Sequence, residues 1–130
     1  MPRKPFPYKY LALAYAALIF IVSAIPSISP PPLGLVLEDK ILHLLEYSVF
    51  SLLLFLAFFT SGREFLRKHV FLLSCLIGMA YAVSDEIHQK FVPGRSSEFL
   101  DFVADSLGIV LVQIGIWLYL RRKRSKLTVP

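Results

Sequence analysis

The sequence predicts an all-α membrane protein: four transmembrane helices bundled in one domain that occupies residues 1–130. Three observations lead there. Mean hydropathy is +0.65 and 56% of the 130 residues are hydrophobic, more than a soluble domain of this length needs for its core. The apolar residues fall into four stretches, each close to the roughly 20 residues that a helix needs to cross a bilayer. None of the four shows the period-2 alternation of a barrel strand, and backbone groups in lipid must be satisfied within helices or a closed barrel, so helices remain.

The predicted spans are 8–25, 41–59, 70–87 and 99–120. The first apolar run, Tyr10 to Ile25, reaches spanning length once Tyr8 and Lys9 are counted. Arg3, Lys4 and Lys9 ahead of it resemble the start of a cleavable signal peptide, but the run closes on "SAIPSIS" rather than a small-x-small site, so it is read as a retained helix. Pro30, Pro31 and Pro32 predict a stiff, extended connection to the second span, since each fixes its φ and resists helix. In the second run, Ile41 to Phe59, the part from Phe50 to Phe59 reads as lipid or bundle packing, and the third run, Val70 to Ile87, holds the sole cysteine, Cys75, which excludes an intrachain disulfide. Its "GMAYA" segment offers small residues where two helices can approach closely, within one chain or between two; the oligomeric state is left open. The fourth run ends at "RRKRSK", and Tyr8, Tyr10, Trp117 and Tyr119 read as interface anchors.

Charge distribution gives the orientation. Arg3, Lys4 and Lys9 precede the first span, Arg63, Arg67 and Lys68 lie between the second and third, and Arg121, Arg122, Lys123, Arg124 and Lys126 follow the fourth. Only Lys40, Lys90 and Arg95 fall on the opposite side, so the positive-inside rule predicts a multi-pass protein of the cell membrane with both termini cytoplasmic. The net charge of +5 is then a topology signal. No nucleic-acid partner is expected, because the basic run abuts a helix end where it serves as a stop signal and a contact for anionic lipid.

The acids behave differently. Of nine Asp and Glu residues, all but Glu64 map to the outward ends of the last three spans or the loops beside them. Residues three, four or seven apart share a helix face. Asp39, Lys40, His43, Glu46 and Tyr47 form such a stripe on the second span; Asp85, Glu86, His88 and Gln89 crowd the last turn of the third; Glu98, Asp101, Asp105 and Gly108 line the fourth. At 1.5 Å per residue, Glu46 and Asp105 lie about 8 to 9 Å inside their predicted helix starts. A lone charge at mid-membrane costs about 2.5–3.5 kcal/mol on insertion scales, so the stripes are expected to face one another around a cavity open to the extracytoplasmic side.

"DKILHLLEY" and "DEIHQKFVPGRSSEFLDFVADSLG" together resemble the VanZ-like membrane protein family, named for a protein associated with resistance to the glycopeptide teicoplanin. The family pattern falls on Asp39, Lys40, His43 and Tyr47, then on Glu86, Gln89, Phe91, Pro93, Gly94 and Arg95, then on Asp101, Asp105 and Gly108. Asp105 departs from it, standing where an Asn is usual and adding a negative charge for which a cation partner is expected. The resemblance implies a four-helix domain, akin to a wider group that includes phosphatidylserine synthases, acting on phosphate-linked head groups of phospholipids or polyprenyl lipids.

On that reading His43, Glu86 and Asp101 are the candidate catalytic residues. His43 is the base or nucleophile, oriented by Glu46 or Asp101. Lys40, Tyr47, Gln89 and Arg95 are the candidate substrate contacts, the Arg fork matching a phosphate. Asp39, Glu46, Asp85, His88 and Asp105 are supporting groups. Glu86, Asp101 and Asp105 form a candidate site for a divalent cation, Mg²⁺ or Ca²⁺. Plainer roles stand beside these: Asp39 as a helix cap, Glu98 as a first-turn acid or a partner of Arg95, Asp85 and His88 as water-facing groups, and "VPGRS" as a turn. Two function classes follow: a head-group hydrolase or transferase acting on a membrane lipid or lipid-linked substrate, and a non-catalytic protein that binds lipid or glycopeptide and contributes to antibiotic resistance or envelope maintenance.

Overall fold

Pro7, whose φ of −78° lies close to the helical value, leads directly into the first helix, α1, Tyr8–Ser23. The chain, described by a computed structural model at residues 7–26, 38–95 and 97–127, continues through α2 (Glu38–Phe59), a short α3 (Glu64–Lys68), α4 (Val70–Gln89) and α5 (Phe99–Leu127). The expected proline-rich connection at Pro30–Pro32 lies outside the described residues. α2, α4 and α5 are long and apolar enough to cross a membrane, and α1, with 16 residues, is a shorter apolar fourth. The molecule is a four-helix membrane bundle.

Where the helix limits differ from the expected spans, local chemistry accounts for it. α1 stops at Ser23 rather than residue 25 because Pro26 disfavours helical backbone at Ile25. α2 starts three residues early, since Glu38 and Asp39 suit the positive end of a helix, and Glu46 therefore lies about 12 Å inside it. α3 was not expected: five residues carry no usable periodicity, although Glu64 at its start and Arg67 and Lys68 at its end match the helix dipole. α5 runs on through the basic tail, where Arg and Lys are good helix formers and favour a C-terminus. The predicted Pro-Gly turn after α4 is present, with Gly94 at φ 76°, a conformation that favours glycine.

Paired side chains fix the helix directions. Lys40 meets Asp101, His43 meets Asp105 and Ser51 meets Gln113, so α2 and α5 run parallel; Tyr81 meets Ala16 and Gln89 meets Ser23, so α1 and α4 run parallel to each other and opposite to that pair. The most extensive packing in the bundle is between α2 and α5. There Gly108 lies under the Leu44 carbonyl, and a Cβ at that position would sit against that oxygen and 2.9 Å from Ser48 Oγ. Gln113 Nε2 donates to Ser51 Oγ (2.8 Å), and Ser51 Oγ donates to the Ile109 carbonyl (3.2 Å).

Around this seam Ile19, Tyr47, Phe50, Leu54, Ala82 and Ile109 form the core, with the Phe50 ring 5.1 Å from that of Tyr81. "GMAYA" packs within the chain: a Cβ on Gly78 would lie 3.1 Å from Ile109 Cδ1. Outward faces carry exposed Leu13, Phe20, Leu72 and Leu111, as lipid-facing helices do.

Gly108→Ala is expected to destabilise the bundle by about 1–3 kcal/mol through backbone overpacking, while Gly115→Ala, with nothing within 4 Å, leaves stability equal or higher. Thermal unfolding of the two variants in detergent checks both.

Candidate functional site

All the paired acids gather at the end of the bundle where α2 and α5 begin and α1 and α4 finish. Parallel α2 and α5 bring their N-terminal stripes into register, so polar side chains meet rung by rung. On the outermost rung Lys40 Nζ donates to Asp39 Oδ2 (2.7 Å), to Glu98 Oε2 (2.9 Å) and to the carboxylate of Asp101. One turn deeper, His43 Nδ1 and Asp105 Oδ1 share a hydrogen bond of 3.0 Å, in which the ring N–H donates when the carboxylate is ionised. Tyr47 follows, with 0% of its surface exposed, its hydroxyl unpartnered among the described residues and its ring edge-on to Phe50.

α4 closes the cluster from the other side. Glu86 Oε2 accepts from Ser97 Oγ (2.7 Å), while Asp85 Oδ2 accepts from Gln89 Nε2 (3.0 Å), which also reaches Ser23 Oγ at 3.3 Å. Asp85, Glu86, Asp101 and Asp105 are all buried, and Asp105 is 0% exposed. Glu86 Oε1 and Asp105 Oδ2 have no hydrogen-bond partner among the described residues. A ligand-capable atom from each of His43, Glu86 and Asp105 lies within 4.8 Å of the other two.

Beside the cluster is a cleft of about 440 Å³ between α1, α2 and the end of α4. His43, Glu46, Asp39, Gln89 and Arg95 provide its polar wall; Leu42, Leu45, Val49 and Val22 provide the apolar part. Leu42, Leu45 and Val49 are themselves exposed on the outer surface of α2, so the cleft opens sideways between α1 and α2. Tyr15, also in the lining, donates from its hydroxyl to the Glu46 carbonyl (3.3 Å), tying α1 to α2 at the depth of the carboxylate.

Several sequence expectations change in detail. The acid that holds His43 is Asp105, not Glu46 or Asp101, because in the parallel register Asp101 lies opposite Lys40 and Asp105 opposite His43. Glu98, expected as a first-turn acid or a partner of Arg95, accepts from Lys40, and Asp39, expected as a cap, does the same from within the first turn of α2. Asp85 is buried against Gln89 rather than wetted. His88 turns toward α1, stacking on Phe20 with centroids 4.4 Å apart, and Tyr47 belongs to the core rather than to the cleft.

Sequence reading missed Ser97, Ser23, Ser51 and Gln113. A serine in a loop carries no spacing signal, but the last two had one: Gln113 continues the four-residue series from Asp101 and Asp105, and Ser51 continues His43 and Tyr47.

An apolar bundle with a ladder of paired charges buried at one end defines a helical membrane protein with a polar cluster held between its helices. A family profile described as VanZ/LLP1 matches residues 10–123, and the chain belongs to that family. No curated protein and no solved structure matches it.

Lys40→Met leaves the buried Asp101 carboxylate without its cation in a part-buried pair, a loss of about 1–3 kcal/mol. A marked fall in melting temperature in detergent is expected, with most of it restored by adding Asp101→Asn.

Proposed function

We propose that this VanZ/LLP1 protein cleaves or exchanges the phosphate-linked head group of a phospholipid or polyprenyl lipid at the extracytoplasmic face of the cell membrane. The observation that carries the reading is the cleft, whose wall holds His43, Glu46 and Arg95 while its lateral opening is bordered by Leu42, Leu45 and Val49. That combination suits a ligand with a polar, phosphate-bearing head and an apolar chain.

Each side chain has a role that follows from its partners. Arg95 lines the cleft and its planar fork takes two phosphate oxygens. With Nδ1 of His43 bound to Asp105, the other ring nitrogen is left as a base. Water, or an alcohol in the exchange reaction, adds to phosphorus as the bond from phosphorus to the head-group oxygen breaks. The attacking oxygen gives its proton to His43, which returns it to the departing alkoxide. Lys40, held by three carboxylates, is a positioning residue that fixes the starts of α2 and α5 together, with Asp101 as its buried partner. Gln89 steadies Asp85 and lines the back of the cleft.

The orientation belongs to the same proposal: both termini are cytoplasmic, and the cluster faces outward. In a Cys75→Ser background, a membrane-impermeant maleimide is expected to label Lys90→Cys in intact cells and Ser125→Cys only after lysis. The reverse pattern overturns the assignment.

For the reaction, protein in nanodiscs is offered head-group-labelled phospholipid or polyprenyl pyrophosphate, and released head group is measured. Release is expected, with His43→Ala and Arg95→Ala lowering it about 100-fold or more while the fold is retained. Unchanged release in both variants removes the mechanism. No release from any of these lipids, together with binding of a lipid-linked precursor or a glycopeptide, makes the protein a binder instead.

A further inference from the structure

The cluster behind the cleft has a charge problem that the reading above does not resolve. Asp85, Glu86, Asp101 and Asp105 are all buried, and Lys40 Nζ is engaged by Asp39, Glu98 and Asp101. Asp101 near the start of α5 benefits from the positive end of its helix, whereas Asp85 and Glu86 sit in the last turn of α4, where the dipole is unfavourable to an anion. Two carboxylate oxygens, Asp105 Oδ2 and Glu86 Oε1, are buried without a partner among the described residues, although their residues are 0% and 7% exposed. Burying carboxylate oxygens in this way is expensive unless a cation reaches them. An anionic phosphodiester brought alongside would raise that cost further.

We propose that His43, Glu86 and Asp105 bind a divalent transition-metal ion, of the Zn²⁺ or Mn²⁺ class, beside the polar wall of the cleft. Their candidate ligand atoms lie within 4.8 Å of one another, and two atoms about 2.1 Å from a common ion can be at most about 4.2 Å apart, so small side-chain rotations close the site. The donor set selects the ion: one imidazole nitrogen with two carboxylates suits Zn²⁺ or Mn²⁺, whereas Mg²⁺ and Ca²⁺ prefer oxygen alone. The three residues come from α2, α4 and α5, so the ion ties three helices together. Three protein ligands leave coordination positions for water or a phosphate oxygen. Asp101 is not a ligand, because Lys40 holds it.

This inference rests on the reading of the cleft as a lipid head-group site and changes one role in it. With the ion bound His43 would be a ligand, and Glu46, on the same wall, would accept the proton from the attacking oxygen and return it to the departing alkoxide.

Protein in nanodiscs, stripped with chelator and dialysed separately against Zn²⁺, Mn²⁺, Mg²⁺ or Ca²⁺, is assayed for bound metal by mass spectrometry and for melting temperature. About one equivalent of Zn²⁺ or Mn²⁺ per chain is expected, with a higher melting temperature on loading. The isosteric Asp105→Asn and His43→Ala weaken binding at least tenfold, and Asp101→Asn retains it. Less than a tenth of an equivalent of either ion, preference for Mg²⁺ or Ca²⁺, or undiminished binding in Asp105→Asn overturns the proposal; circular dichroism confirms that each variant is folded, and Asp105→Asn decides alone if His43→Ala is not. Metal bound without head-group release sinks the catalytic reading and spares the metal site, whereas release from metal-free protein spares the catalytic reading and leaves His43, not Glu46, as its base.

Discussion

The close, parallel contact between α2 and α5 is the constraint on which the rest of this molecule depends. At Gly108 α5 approaches the Leu44 carbonyl of α2 with no room for a side chain, and that approach sets the register of everything above it. Lys40 then falls opposite Asp101, His43 opposite Asp105 and Ser51 opposite Gln113. A shift of one residue along either helix would rotate each stripe by about 100° and break all three rungs together, because 3.6 residues make a turn. Packing and electrostatics thus enforce one another: the glycine permits the approach, and the buried pairs penalise any other alignment.

Parallel neighbours also concentrate helix-dipole charge. The N-termini of α2 and α5 lie side by side at the polar end, a setting that favours Glu38, Asp39 and Asp101, while the C-terminal end of α4 enters the same region carrying Asp85 and Glu86. Glu38, Asp39 and Asp101 are explained by local structure, whereas Asp85, Glu86 and Asp105 are not. Hydrogen bonds from Gln89 and Ser97 account for one oxygen of each α4 carboxylate. Such an imbalance is what the proposed cation site would offset.

Much of this was legible in the sequence, and the exceptions follow from what periodicity measures. Four apolar runs gave four helices, and three-and-four spacing correctly placed Lys40 with His43 and Asp101 with Asp105 on shared faces. Which rung meets which is a property of two helices at once, so the partner of His43 was beyond any single stripe. Helix ends were misplaced wherever polar residues continued the helix, as at Glu38 and through Arg121–Lys126, because hydropathy reports the solvent and not the backbone. Tyr47 shows a further limit: it shares a stripe with Lys40 and His43, yet one more turn of depth moves it from the cleft into the aromatic core beside Phe50.

The sideways opening between α1 and α2 has a kinetic consequence. Leu42, Leu45 and Val49 border it, so the lipid ligand proposed above would reach His43 only after partitioning among the acyl chains. For such a ligand the encounter would be a two-dimensional search, governed by mole fraction in the leaflet and by lateral diffusion rather than by concentration in the surrounding buffer. Dilution of the host membrane with inert lipid, at constant total amount, would therefore slow occupancy of the cleft where adding water would not.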